Sequence, residues 1–233
     1  QRRIQQRNEE QRRTQQRTED QWRDRNRTDS RQVYRSGSGG QYEQYDRYQQ
    51  EQLRRQRLSE YNSRWQNWQG IRQQRQRELE QARRRAYLSY QQRYWDRIRQ
   101  DQLRLQQARY YDNMINNYQY YRGSNMYYTS QYGAQMLEQA IQYGYEEGYY
   151  SGRADREDGW GYNYQNSYGY QDASFGYDSY SVGMDEYSYY FREGFRRGYE
   201  DGYYGRYSYG RYDNGRYEIL GTILQTIFSF VRF

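Results

Sequence analysis

The chain has 233 residues and a net charge of +7, and all of its 37 basic side chains are arginine. It contains no histidine, cysteine, lysine or proline. The usual acid–base and nucleophilic groups, and the ligands of zinc, haem, iron–sulfur and copper centres, therefore cannot be assembled. The composition argues against an enzyme and predicts no cofactor, no metal site and no small-molecule substrate.

Tyrosine dominates the apolar side chains. There are 36 tyrosines, whereas hydrophobic residues of all kinds make up only 33% of the chain. With so few aliphatic residues we expect a monomer to have a thin core. Tyrosine buries a large ring and keeps a hydroxyl for a partner, and arginine stacks on rings and pairs with carboxylates. The composition therefore favours burial of tyrosines between subunits.

The charge divides the chain into two halves. Residues 1–112 carry 27 arginines and 15 acidic residues, a net charge of +12, whereas residues 113–233 have a net charge of −5. Opposite charges on the two halves favour head-to-tail contact between copies, which closes a ring or propagates as a filament. Pairing of the two halves within one chain is the competing interpretation.

Residues 1–40 are predicted to form a charged arm. They are rich in Gln and Arg, have almost no apolar positions, and end in the flexible stretch S-G-S-G-G at 36–40. The segment is expected to be either a solvated helix or an arm that orders when it binds a partner.

Residues 41–122 show helical periodicity with an aromatic stripe. Apolar residues recur at steps of three and four: Leu58, Tyr61, Trp65 and Trp68, then Tyr87, Tyr90, Tyr94 and Ile98, then Tyr110, Tyr111, Met114, Ile115 and Tyr118. The pattern predicts one long helix or a two-helix hairpin that turns near Gly70. Trp65 and Trp68 are expected to take part in aromatic contacts of the assembly.

Residues 130–206 contain a duplicated glycine–tyrosine motif. The stretch Y-E-E-G-Y-Y-S-G-R at 145–153 recurs as Y-E-D-G-Y-Y-G-R at 199–206, an offset of 54. Small residues occupy every fourth position: Ala140, Gly144, Gly148 and Gly152 in the first copy, and Gly194, Gly198 and Gly202 in the second. Aromatic residues flank them: Tyr145, Tyr149, Phe195, Tyr199 and Tyr203.

A spacing of four places these glycines on one helical face. Glycine inside a helix costs about 1 kcal/mol relative to alanine, so a repeated use of glycine indicates close backbone approach. The charged residues between the glycines exclude a membrane span, and no transmembrane segment is predicted. We expect helices at 134–157 and 185–205 to pack through their glycine faces. A flexible Gly/Tyr-rich tract is the alternative.

The remaining segments are predicted to be a loop and a docking tail. Residues 160–183 have the Tyr/Gly/Ser spacing of sticky low-complexity loops, with at most a short strand. Residues 207–233 are predicted to be a tyrosine-rich linker followed by an apolar helix that docks on its own core or a neighbour. A terminal strand that adds to another subunit is the alternative for F-S-F-V-R-F. The docking residues are Ile219, Leu220, Ile223, Leu224, Ile227, Phe228 and Val231.

The duplicated segments resemble those of uncharacterised, secreted, tyrosine- and glycine-rich bacterial proteins that carry Y-x-x-G helical repeats. The resemblance covers residues 130–233 and implies secretion but no particular activity. The chain also begins at Gln1 without an initiator Met, as a cleaved signal peptide would leave it, although an excised chain would look the same. We therefore expect a secreted or cell-surface protein.

The sequence thus predicts a mainly α fold: a long Gln/Arg-rich helical arm, a glycine-packed helix pair with tyrosine-rich loops, and an apolar C-terminal helix. The expected function is self-assembly into an extracellular filament or surface layer, with copies of the chain as partners. The rival hypothesis is an Arg- and aromatic-rich nucleic-acid-binding or envelope scaffold protein. The acidic residues interspersed among the arginines and the lack of an RNA-binding motif weigh against nucleic acid.

Overall fold

The structure, a computed structural model, describes residues 47–107, 116–122, 125–180 and 182–232, and these belong to one compact unit. The expected charged arm at 1–40 lies outside the described residues. The fold is mainly α, as predicted. The helices are α1 (Arg47–Gln81), α2 (Arg85–Gln107), α3 (Gln131–Glu157), α4 (Tyr168–Asp172), α5 (Met184–Tyr204) and α6 (Gly221–Ile227), with a 3-10 turn at Tyr164–Asn166. The strands are β1 (Tyr118–Arg122), β2 (Asn125–Thr129), β3 (Gly210–Asp213), β4 (Arg216–Ile219) and β5 (Phe230–Arg232).

Helices α1 and α2 form a hairpin, one of the two arrangements that the periodicity allowed. The turn lies at 82–84, where Arg83 has a φ of 56°, and not near Gly70, which is inside α1. The Gln- and Arg-rich sequence runs through this turn without Gly or Pro, so no local signal marks it. Tyr110, Tyr111, Met114 and Ile115 of the predicted stripe lie outside the described residues. Tyr118 begins strand β1, so the helical prediction is wrong there.

Helices α3 and α5 are the centre of the fold, and their bounds match the predictions of 134–157 and 185–205 closely. The side-chain hydroxyl of Ser130 accepts a hydrogen bond from the backbone N–H of Gly133 and caps α3. Gly144 of α3 faces Phe191 of α5, and Gly152, two turns later, faces Tyr199. The residue numbers rise together along the two helices, so the helices run parallel. Parallel packing requires the chain between them to return along the pair.

That return segment, residues 158–183, is not the open loop that its composition suggested. It contains the 3-10 turn and α4, and its described residues from Ser167 to Ser179, Tyr170 and Gln171 apart, are buried. Arg192 of α5 donates from Nε and Nη2 to the carbonyl oxygens of Tyr170 and Gln171, at 2.9 and 3.0 Å. Burial lowers the pKa of Arg192 to about 10. The prediction of a loop with at most a short strand is therefore wrong at Tyr168–Asp172, which is helical.

Two small antiparallel sheets complete the fold. The order in the larger is β2-β1-β5, and β3 pairs with β4 in a hairpin. The hairpin turns at Asn214 and Gly215, both with positive φ, as a two-residue Asn-Gly loop requires.

The apolar tail is not one helix, which corrects the sequence-based prediction. It is divided into β4, the seven-residue α6 and β5. The alternative of a terminal strand is nearer to the structure, although β5 pairs with β1 of the same chain and not with another subunit. The apolar residues of the tail occur in adjacent pairs. This spacing fits a single helix and also fits a short helix between two strands, so the sequence pattern could not distinguish the two arrangements.

The core is built mainly from tyrosine and lies within one chain. Eight tyrosines among the described residues are no more than 1% exposed: Tyr94, Tyr120, Tyr145, Tyr168, Tyr177, Tyr187, Tyr190 and Tyr199. Ring pairs such as Trp95 with Tyr168, whose centroids are 4.8 Å apart, continue from α2 into the return segment. The expectation of a thin monomer core is therefore wrong, because aromatic rings supply the area that aliphatic residues lack.

Candidate functional site: the glycine seam and the exposed aromatic surfaces

The predicted glycines form one seam between α3 and α5. A methyl group at Gly144, Gly148 or Gly152 would overlap the carbonyl oxygens of Phe191, Phe195 and Tyr199 in turn. Methyl groups at Gly194, Gly198 and Gly202 would overlap the carbonyl oxygens of Ile141, Tyr145 and Tyr149. Ala140, the remaining predicted small residue, is fully buried in α3. The two backbones therefore touch over three helical turns.

The contacts reveal a pseudo-two-fold relation between the helices. Gly144 meets the carbonyl three residues before Gly194, and Gly194 meets the carbonyl three residues before Gly144. Equivalent glycines are thus 50 residues apart, one helical turn less than the 54 of the sequence repeat. Because the glycines recur every four residues, about one helical turn, an offset of 50 residues aligns glycine with glycine just as an offset of 54 does.

Each helix of the seam donates a tyrosine hydroxyl to a carboxylate of the other. Tyr145 of α3 donates to Asp201 Oδ2 of α5 at 2.9 Å, and Tyr199 of α5 contacts Asp155 of α3. Asp201 also accepts from the backbone N–H groups of Ser208 and Tyr209, at 2.9 Å each, which fixes the chain after α5. Both carboxylates are at most 2% exposed. These polar contacts keep the two helices in register.

Arginines of the basic half pair with acids of the acidic half inside the chain. Arg97 of α2 contacts the fully buried Glu147 and lies 3.2 Å from Glu146, and Arg93 is 3.8 Å from Glu147. Burial raises the pKa of Glu147, and the positive charges of Arg97 and Arg93 oppose that shift. Of the two interpretations of the charge division, the structure shows contact within one chain.

A second ionic cluster joins the α1–α2 turn to the end of α3. Arg84 contacts Asp155 and lies 4.0 Å from Asp158. Asp158 accepts from the backbone N–H groups of Ala86 and Tyr87, at 2.9 Å each, and so caps α2 across the chain. The Arg84 guanidinium lies over the Tyr87 ring at 4.1 Å, and burial lowers the pKa of Arg84.

Most of the predicted aromatic and tail residues lie inside the molecule. Tyr145, Tyr149, Phe195 and Tyr199 are buried, and Tyr203 is half-buried. Trp65 and Trp68 of α1 are partly buried, against Trp95 and Tyr168. In the tail, Ile219 and Phe228 are buried, Leu220, Ile223, Leu224 and Ile227 are half-buried, and Val231 is 59% exposed.

The sequence pattern missed an exposed apolar face on the β2-β1-β5 sheet. Residues alternate across this sheet, with Tyr118, Tyr120 and Tyr127 turned to the core. We call the opposite side the outer sheet face, formed by Gln119, Tyr121, Met126, Tyr128 and Val231. Their alternation could have been recognised in Y-Q-Y-Y-R and N-M-Y-Y-T, but the aromatic stripe upstream suggested a helix.

No protein-family model matches this chain, and neither a curated protein nor a solved structure is similar to it. None of the helices in the described residues combines the length and the apolar content that a bilayer span requires.

Proposed function

We propose that the chain is a structural subunit of an extracellular filament or surface assembly, in which copies join through the outer sheet face. The observation that carries the proposal is the exposure of large apolar side chains there. Tyr121 is 57% exposed, Met126 42%, Tyr128 46% and Val231 59%. Contiguous exposed apolar residues are typical of protein interaction sites.

The arrangement of the sheet suits a second copy as the partner. Among the described residues, β2 and β5 are the outermost strands, and the exposed side chains of the face extend from one to the other. A second copy that lays its own outer sheet face on this one would cover the same apolar side chains. Such a contact is self-complementary and joins two copies as a two-fold dimer, which would be the building block of the proposed assembly.

Part of the charge that suggested an electrostatic contact between copies is used inside the chain. Arg93, Arg97 and Arg84 already engage Glu147 and Asp155 of their own chain. These charges are therefore used in folding, and the apolar side chains of the outer sheet face offer a contact that does not depend on charge. The extracellular setting rests on the compositional resemblance to secreted tyrosine- and glycine-rich proteins.

A pair of threonine substitutions tests the interface. Tyr121 and Met126 lie directly opposite each other, so Tyr121→Thr with Met126→Thr removes two large side chains and keeps residues that favour strands. The matched control is Tyr212→Thr on β3, where the tyrosine is equally exposed at 57%. Circular dichroism confirms that each variant is folded.

Light scattering over a concentration series measures the mass of each variant in solution and so reports whether it assembles. We expect the mass of the original chain and of Tyr212→Thr to rise with concentration, while the double variant stays monomeric. A double variant that assembles like the original chain would exclude the outer sheet face as the interface. A scattering mass that rises only when RNA is added would favour the nucleic-acid-binding alternative.

A further inference from the structure

A cluster of tyrosine rings lies where the C-terminal end of α5 meets the return segment. Tyr162 packs edge-on against Tyr199 and Tyr203, with centroids 5.2 and 5.3 Å away and interplanar angles of 81° and 90°. Tyr204, the last residue of α5, stacks on Tyr162 at 5.7 Å with an interplanar angle of 22°. Tyr162 is 38% exposed and Tyr204 56% exposed.

The rings of Tyr162 and Tyr204 are both close to each other and exposed to solvent. Tyr149 and Tyr217 are closer, with centroids 3.7 Å apart, but they are only 4% and 9% exposed. Tyr212 is well exposed, but its neighbour at 4.8 Å is the buried Tyr217. The rings of Tyr162 and Tyr204 are held together by the edge-on contacts around Tyr162, so little motion is needed to bring their edges into contact.

We propose that Tyr162 and Tyr204 are a site of oxidative cross-linking, where a haem peroxidase using hydrogen peroxide joins the two rings as dityrosine. Each phenol loses one electron and one proton to become a phenoxyl radical. A carbon–carbon bond then forms between one Cε carbon of each ring, the position ortho to the phenol oxygen. The hydrogens on those carbons move to the oxygens, which restores both phenols. The two electrons and two protons reduce one hydrogen peroxide to two waters.

The cross-link would tie the return segment to the end of α5. Tyr162 follows α3 and Tyr204 ends α5, so the bond closes a loop that contains α4 and all of the intervening chain. Closing a loop restricts the unfolded chain, and the oxidised protein is expected to melt at a higher temperature than the untreated protein. The site lies within one chain and does not depend on the proposed assembly.

Mass spectrometry of the oxidised monomer tests the assignment. The full chain is isolated as a monomer by size exclusion, treated with horseradish peroxidase and hydrogen peroxide at low protein concentration, and digested with trypsin. The predicted product joins peptide 157–192 to peptide 198–206, at the summed mass less two hydrogens. Fragment ions assign the linked residues, because both peptides contain other tyrosines.

Phenylalanine variants separate the site from general tyrosine oxidation. Tyr162→Phe and Tyr204→Phe keep the stacked rings and should each lose the linked peptide and most of the dityrosine fluorescence. Tyr212→Phe removes a tyrosine about as exposed as Tyr204, and this variant should retain both the linked peptide and the fluorescence. The proposal is overturned if Tyr204→Phe gives the linked peptide in undiminished yield. It is also overturned if the original chain gives no link while free tyrosine couples in a parallel reaction.

Discussion

The hydroxyl of Tyr145 donates a 2.9 Å hydrogen bond to Oδ2 of Asp201, and thereby partners a fully buried carboxylate on the neighbouring helix. The contact joins α3 to α5 at the same seam where their glycines meet. Because Asp201 also holds two backbone N–H groups of the following chain, one carboxylate connects three segments of the fold.

Tyr145→Phe should therefore destabilise the protein. The variant keeps the ring but removes a donor from a buried carboxylate, at a cost of about 1–3 kcal/mol. Urea unfolding measures the change in the free energy of unfolding. Tyr212→Phe, which alters an exposed tyrosine, should stay within about 0.5 kcal/mol of the original chain. Equal effects of the two substitutions would show that the Asp201 contact contributes nothing.

The glycine seam gives a second prediction with a control in the same chain. A methyl group at Gly148 would overlap the Phe195 carbonyl oxygen, so Gly148→Ala should force the helices apart and cost about 1–3 kcal/mol. Gly70, inside α1, has open space at the same position, and Gly70→Ala should stabilise the protein by about 0.5–1 kcal/mol. Thermal melts of both variants check the opposite signs. A neutral or stabilising Gly148→Ala would contradict the close approach.

The buried pair of Arg97 and Glu147 predicts a pH-dependent defect. Arg97→Met keeps the apolar stem but leaves Glu147 with less positive charge, which costs about 3–5 kcal/mol near neutral pH. Burial raises the pKa of Glu147 above its unfolded value of about 4.3, and without Arg97 less positive charge opposes that shift, so the pKa should rise further in the variant. The folded variant therefore holds the Glu147 proton more tightly than the unfolded chain does. Its stability is greatest below the unfolded-state pKa of Glu147 and falls as the pH rises through the folded-state pKa.

Urea unfolding of Arg97→Met from about pH 4 to pH 7 measures this slope, which should exceed that of the original chain. Adding Glu147→Gln to the variant should remove the additional slope and recover part of the stability, because the uncompensated charge is gone. An Arg97→Met variant whose pH dependence equals that of the original chain would contradict the assignment.

The tyrosine core predicts unfolding in alkali. Burial, with a further contribution from nearby Asp172, raises the pKa of Tyr94, and burial also raises the pKa of Tyr187. The unfolded pKa of tyrosine is about 10. Above that pH the folded state holds more protons than the unfolded state, so stability falls by about 1.4 kcal/mol per pH unit for each such tyrosine.

Ultraviolet titration of the tyrosinate absorbance tests this expectation. We expect the exposed tyrosines to ionise first and the buried ones to ionise together in a steep step that coincides with loss of helical circular dichroism. A single smooth titration near pH 10, with the helices intact throughout, would contradict a core built from neutral tyrosines.

The sequence predicted the α3–α5 pair because its determinant is local. A glycine at every fourth position is rare, costly in a helix, and useful only where another backbone approaches. Gly148 and Gly198 could therefore be assigned to a seam from their spacing alone. The spatial register of 50 residues could not be deduced, since a shift by one turn places glycine on glycine equally well.

Other elements depend on partners distant in the sequence. Strand β5 exists because Phe230 lies opposite Tyr120, more than a hundred residues away, and no spacing within the tail reveals that. The sequence of the return segment resembles that of a low-complexity loop because its buried rings are tyrosines. Hydropathy scales rate tyrosine as intermediate between polar and apolar, although its ring can be buried in a core. The Asn214-Gly215 turn, in contrast, was a readable hairpin signal that the tyrosine-rich surroundings obscured.

The most direct test of the proposed self-assembly is sedimentation velocity, with negative-stain electron microscopy, on the original chain at high concentration in low and in high salt. At 1 M salt the Debye length is about 3 Å, so attraction between exposed charges is screened beyond that distance. Salt does not weaken apolar contacts. Assembly through the outer sheet face predicts regular oligomers or fibres that persist in high salt. A single monomeric species at both salt concentrations would contradict self-assembly, and fibres that dissolve in salt would contradict the outer sheet face as the contact.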